Sequence, residues 1–256
     1  MFSIQIFKPH IFLIAWLFAA IFFGNASASL AADAAKPKEV SVLHMSSNFL
    51  GNVTFTLGDA ATSIYMEKLG IEAFGGGDKM SQILIMNHRD KTFLQEPRSE
   101  WAKRAAKYKA KTKKDPFHKG YKLSKGSKAK VCGLNCTFYE VKAIKLDGSL
   151  EEQSNKKQIW LCDALQNSKG VSKQFAMEIL RVFAQMEELP ASLDGVLVRL
   201  KVDKGHKMVN MLDTYKVEKV KKAVELKVPK GYHRVKDEVA LLWGDESSSA
   251  DMFGSP

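Results

Sequence analysis

Short strand-like runs separated by turn clusters constrain this chain more than any other feature. Between Ser63 and Pro97 the sequence runs SIYMEKLGIEAF, the turn signal Gly75-Gly76-Gly77-Asp78, KMSQILIM, the turn NHRD, and KTFLQEP closed by Pro97. Runs this short, set this close, satisfy their backbone groups by pairing antiparallel with their neighbours. Ser41 to Leu57 is mostly strand-compatible as well. The pattern returns later in KAKVCGLNCTFYEVKAIKL (128–146) and KKQIWLC (156–162), joined across DGSLEEQSN. It returns again in GVLVRLKV (195–202), the turn DKGH and the long run KMVNMLDTYKVEKVKKAVEL (207–226).

Two segments break the alternation and predict helices. RSEWAKRAAKYKAKTKK (98–114) is rich in Ala and Lys, with Trp101, Ala105 and Tyr108 on one side, and Pro116 stops it. VSKQFAMEILRVFAQMEEL (171–189) has Ser172 as a helix cap and Pro190 just past its end. Its Val171, Phe175, Ile179, Val182, Met186 and Leu189 step at three and four, a stripe that must be buried. Taken together, the elements predict an α+β fold, an antiparallel sheet with helices on one face.

The first 28 residues read as a secretory signal peptide. Lys8 precedes an apolar run from Ile11 to Phe23, and Ala26-Ser27-Ala28 fits a cleavage site. The run is short of the about 20 apolar residues a span needs. No cysteine sits near the cleavage point, so no lipoprotein anchor is expected. The predicted organisation is signal peptide 1–28, linker 29–40, one β-rich domain 41–243 and a disordered tail 244–256, placed in the periplasm or outside the cell. The balance of 39 Lys and Arg against 28 Asp and Glu gives +11, which favours anionic partners.

Cys132-Gly-Leu-Asn-Cys136 is the most chemical-looking motif. A structural zinc site needs four ligands, usually as two close pairs, and only one pair exists here. A thioredoxin-type centre needs two intervening residues and a helix; here there are three, between strand-like runs. The spacing predicts a three-residue hairpin loop with Asn135 left-handed. In that register Cys132 faces Cys136, in reach of a disulfide, and Lys128 faces Glu140. Free buried thiols are the competing reading. Cys162 is expected nearer Glu140 than Cys136.

Catalytic and metal signatures are not found: the six histidines are isolated, with no HExxH, and there is no G-x-S-x-G or P-loop pattern. No enzyme activity, metal, cofactor or nucleic-acid partner is expected, and the chain is expected to be a monomer.

Several of these segments resemble secreted bacterial families of unknown function with a LolA/LolB-like half-barrel. The likeness rests on VCGLNCTFYEV (131–141), on KKQIWLCDAL with Ile159–Trp160, on the apolar helix, and on VELKVPKGYHRVK with Pro229–Tyr232. ILIMNHRDKTFLQE looks like the family's earlier hairpin. The resemblance implies a strongly curved antiparallel sheet covered by helices, with an apolar concave face that holds acyl chains in the named relatives. The lysine-rich stretch Lys103–Lys114 departs from that pattern. Two functional expectations follow. One is a non-enzymatic carrier of an acyl chain, lipid or lipoprotein, lined by Phe175, Ile179, Phe183, Met186 and Trp160. In it Lys103, Arg104, Lys107 and Lys111 hold the anionic head. The other is a cell-envelope interaction protein whose basic segment meets anionic polymers or headgroups.

Overall fold

A computed structural model describes residues 38–58, 61–76, 81–100, 103, 118–150, 156–165, 195–203 and 207–243. Two meanders make one sheet. The first climbs through β1 (Lys38–Ser47), β2 (Gly51–Leu57), β3 (Ala61–Met66), β4 (Ile71–Gly76), β5 (Gln82–Asn87) and β6 (Thr92–Pro97). The second starts at the far edge with β7 (His118–Val131). It returns through β8 (Leu134–Lys145), β9 (Lys157–Cys162), β10 (Val196–Asp203) and β11 (Met208–Lys222), which docks antiparallel on β1. β12 (His233–Arg234) adds to the outer side of β6 in parallel, so the order is β12-β6-β5-β4-β3-β2-β1-β11-β10-β9-β8-β7.

This corrects the α+β expectation. Among the described residues strand makes up 69 % and helix 6 %, in a mixed twelve-stranded sheet with only two short helices, so covering helices do not define the fold. The named helical elements are a 3₁₀ turn, Asp163–Leu165, and α1, Glu238–Trp243; residues 98–100 and 103, at the start of the expected basic helix, are helical as well. The expected helix at 171–189 lies outside the described residues, as does most of the basic segment 98–114. The strand count also rises because SIYMEKLGIEAF is two strands. Glu67 to Gly70 form a turn in which the Leu69 and Gly70 amides both bond to the Met66 carbonyl, and Gly70 takes a left-handed φ of +68°. β1 opens at Lys38, inside the stretch expected as linker.

Strand alternation sorts the side chains onto two faces. A straight register row, Leu43–Phe55–Ile64–Ala73–Ile85–Leu94, crosses β1 to β6 and is at most 3 % exposed. It continues the same apolar cluster as Tyr139, Ile159, Leu200 and Leu212 on the second meander. Each of the larger side chains in the row, Leu43, Phe55, Ile64, Ile85 and Leu94, stabilises the fold by about 1.5–3 kcal/mol. The opposite face carries a second, smaller cluster: Val40, Val42, Ala61, Phe74, Leu84 and Met86. The segment after β11 covers it, packing Val224, Leu226, Val228 and Tyr232 against those strands. The chain then passes the β6 edge as β12 and puts Ala240 and Leu241 of α1 against the first cluster. Asp237 caps α1, its Oδ1 accepting from the Ala240 amide at 2.9 Å, and Asn87 Nδ2 donates to the Leu241 carbonyl at 2.9 Å.

Candidate functional site

The β7–β8 hairpin differs from its expected register. Val131 pairs with Leu134, which leaves a two-residue turn of Cys132 and Gly133 with φ of +49° and +78°. Positive φ at both positions matches the twist of the flanking strands, the preference of two-residue hairpins. Asn135 therefore sits in the strand opposite Lys130, and Lys128 faces Thr137 rather than Glu140. The expected Cys132–Cys136 pair is separated: Cys132 is exposed at the tip and Cys136 is buried, and all three cysteines are free thiols. Cys136 instead lies directly across from Cys162 of β9. The hydrogen bond with the Cys162 sulfur and then burial push the Cys136 thiol well above its ordinary range, so it stays protonated.

Trp160, expected among acyl-chain contacts, lies on the face opposite Ile159 and Leu161. Its ring sits 5.0 Å from the Phe138 ring, with the Arg199 guanidinium 5.6 Å and the Lys201 ammonium 5.8 Å from its centre. Arg199 Nε donates to Asp213 Oδ1 at 2.6 Å. A bulge in β7 between Lys125 and Lys128 brings Gly126 beneath Phe138, where a Cβ would meet the ring at 2.4 Å. Glu140 accepts Lys156 at 3.0 Å, with Lys142 at 3.9 Å. Beyond this aromatic and cationic patch, β7 is the last of the described strands and presents exposed Lys122, Lys125, Lys128 and Lys130. Of the expected anion-binding residues, Lys103 is exposed and pairs with Glu100 at 2.7 Å. Arg104, Lys107 and Lys111 lie outside the described residues, and so do Phe175, Ile179, Phe183 and Met186.

The same face of the first meander carries polar side chains in register. His44, Thr54, Tyr65 and Glu72 form one row; Thr56 and Ser63 pair in the next. His44 Nε2 bonds Glu218 Oε1, and Lys216 lies 3.0 Å from the same carboxylate. Lys216 first and His44 second hold the Glu218 carboxyl below its ordinary range. Further along, His88 is gripped from both sides. Its Nε2 lies 3.0 Å from Glu72 Oε2 and its Nδ1 2.7 Å from the Tyr232 hydroxyl. A neutral ring with its proton on Nε2 satisfies both, donating to the carboxylate and accepting from the phenol. Glu72, His88, Thr54, Thr56, Ser63, Tyr65 and Lys222 line a cavity of about 310 Å³. Sequence reading missed this group because His88, Glu72 and Tyr232 come together only through the sheet register and the returning C-terminal segment.

A second cavity, about 550 Å³, opens at the β6–β12 edge between Leu94, Glu96, Pro97, Glu100, Arg234, Val235 and Lys236. Among the described residues no group of three or more His, Cys, Asp and Glu could hold a metal ion, and no helix is long and apolar enough to cross a membrane.

By fold, this is a sheet protein built from two antiparallel meanders joined at β1 and β11. No protein-family model and no curated protein matches the chain.

Proposed function

We propose that this is a non-enzymatic binding protein of the cell envelope that holds a linear anionic polymer along its β7 edge. The supporting observation is the run of exposed Lys122, Lys125, Lys128 and Lys130 on a strand that, among the described residues, has a neighbour on one side only. An extended strand rises about 3.3 Å per residue, so these ammonium groups are spread over roughly 25 Å. That is the form of a charge array for a repeating polyanion, where each contact releases counterions and binding weakens steeply with salt. Phe138 on the adjoining strand, with Trp160, Arg199 and Lys201 on the next two, offers flat apolar contact inward from the charges.

The test is polyphosphate binding by the purified protein as salt is raised. Charge reversal of all four residues (Lys122→Glu, Lys125→Glu, Lys128→Glu, Lys130→Glu) should lower affinity by about tenfold or more, roughly 1.4 kcal/mol, and flatten the salt dependence. Equal binding by the variant would overturn the reading. The cavity at the β6–β12 edge supports a second reading, an acyl-chain amphiphile. Leu94 and Val235 belong to the apolar cluster, while Glu96, Glu100, Arg234 and Lys236 supply charge around them. Its signature is fatty-acid binding that survives high salt and the quadruple charge reversal.

A further inference from the structure

We infer that the cavity beside His88 is a binding site for a small polyhydroxylated anion, a single sugar ring bearing a carboxylate. The inference does not depend on the β7 edge. Four hydroxyls, of Thr54, Thr56, Ser63 and Tyr65, line the cavity, and none has a hydrogen-bond partner among the described residues. Two of them belong to residues only 2 % exposed, Thr56 and Ser63. Their hydroxyls are not sealed in protein but open onto the cavity, where a ligand can reach them. The expected arrangement for a sheet face covered by the 223–232 segment is apolar, and the neighbouring Val42, Phe74 and Leu84 conform to it. Thr56 pairs with Ser63 where an apolar pair would pack as well.

The charges define the ligand further. Lys222 makes no ion pair among the described residues, although Glu72 lines the same cavity, so its ammonium is available to a ligand carboxylate. Glu72 and His88 are committed to each other and, through Tyr232, to the covering segment, which fixes that wall. With one oxygen bonded to His88, Glu72 keeps acceptor capacity for a ligand hydroxyl. A carboxylate against Lys222, with hydroxyls against Ser63, Thr56, Thr54, Tyr65 and Glu72, uses every unpartnered group. The volume of about 310 Å³ stands at the small end of ligand pockets, about 300–1,000 Å³, which admits one ring and little more.

Titration of the ¹⁵N-labelled full-length chain with glucuronate, glucose and acetate, followed by amide shifts, tests this. Expected are saturable shifts at β2, β3 and β4 with glucuronate at millimolar concentration or below, and weaker binding of glucose and of acetate. Ser63→Ala should weaken glucuronate about tenfold, the equivalent of one lost bond to a charged or buried partner. Lys222→Gln, on an exposed side chain that folding does not need, should remove the preference for glucuronate over glucose. It keeps the test decisive if the Ser63 variant does not fold. A cavity filled by water alone gives no saturable shift with any of the three, and that result overturns the inference. So does glucuronate binding that both variants leave intact.

Discussion

Gly126 shows how one missing side chain shapes the aromatic patch. Phe138 rests where a Cβ on Gly126 would lie 2.4 Å from its ring, and the ring in turn meets Trp160. Gly126→Ala must therefore push Phe138 off its seat, an overpacking that destabilises by about 1–3 kcal/mol. Urea unfolding should show a lower midpoint, and adding Phe138→Leu should recover part of it. A midpoint unchanged by Gly126→Ala would mean that the ring is not held there. The cysteines separate just as sharply by position. Cys132 is exposed, whereas Cys136 is 2 % exposed and Cys162 fully buried. Maleimide should label one thiol on the native protein and three in denaturant; two or more labelled natively would contradict the hairpin register.

At the scale of elements, the runs 82–87, 92–97, 157–162 and 196–203 were legible because each is apolar and bounded by turn residues. The errors sit at turns. Glu67-Lys68-Leu69 carries no Pro or Asn, and only Gly70 betrays the reversal between β3 and β4, so two strands read as one. In the β7–β8 hairpin, Asn135 offered a left-handed residue, but Cys132-Gly133 takes that conformation instead. Every cross-strand pair then moves, and a covalent link inferred from facing positions moves with it. The pairing of β1 with β11 has its own electrostatic signature on the cavity side. Glu218, held by Lys216 and His44, has its carboxyl below the ordinary range. A depressed carboxylate stabilises the fold fully above its unfolded value of about 4.3, and the contribution is lost as pH falls through the depressed folded value. Glu218→Gln should thus match the melting temperature of the parent under acid conditions and fall below it toward neutral pH. A constant difference across that range would remove Glu218 from the pH dependence.

For the whole molecule, chain order hides the main organising contact. β1 and β11 pair along nine registered positions although one opens the described chain and the other nearly closes it. No local pattern announces such a pairing, and the polar cavity depends on it, because Lys222 at the end of β11 meets Thr56 and Ser63 only through β1. Among the described residues the sheet has two edges. One is handled by β12 and the segment that passes from the Tyr232 side to α1 on the other face. The other, β7, is long and carries exposed lysines, which discourage another strand from adding to an open edge. Edge protection and polyanion binding use the same ammonium groups, yet they respond differently to substitution. Replacing Lys122, Lys125, Lys128 and Lys130 by Thr removes the charge and raises strand propensity. That variant should bind polyphosphate weakly and also self-associate, seen as growing particle size in light scattering. The Glu variant restores repulsion between copies, so it should remain monodisperse while still losing the polymer. If the Thr variant stays monodisperse, the lysines are not what guards the edge, and their spacing along β7 is left to polymer binding alone.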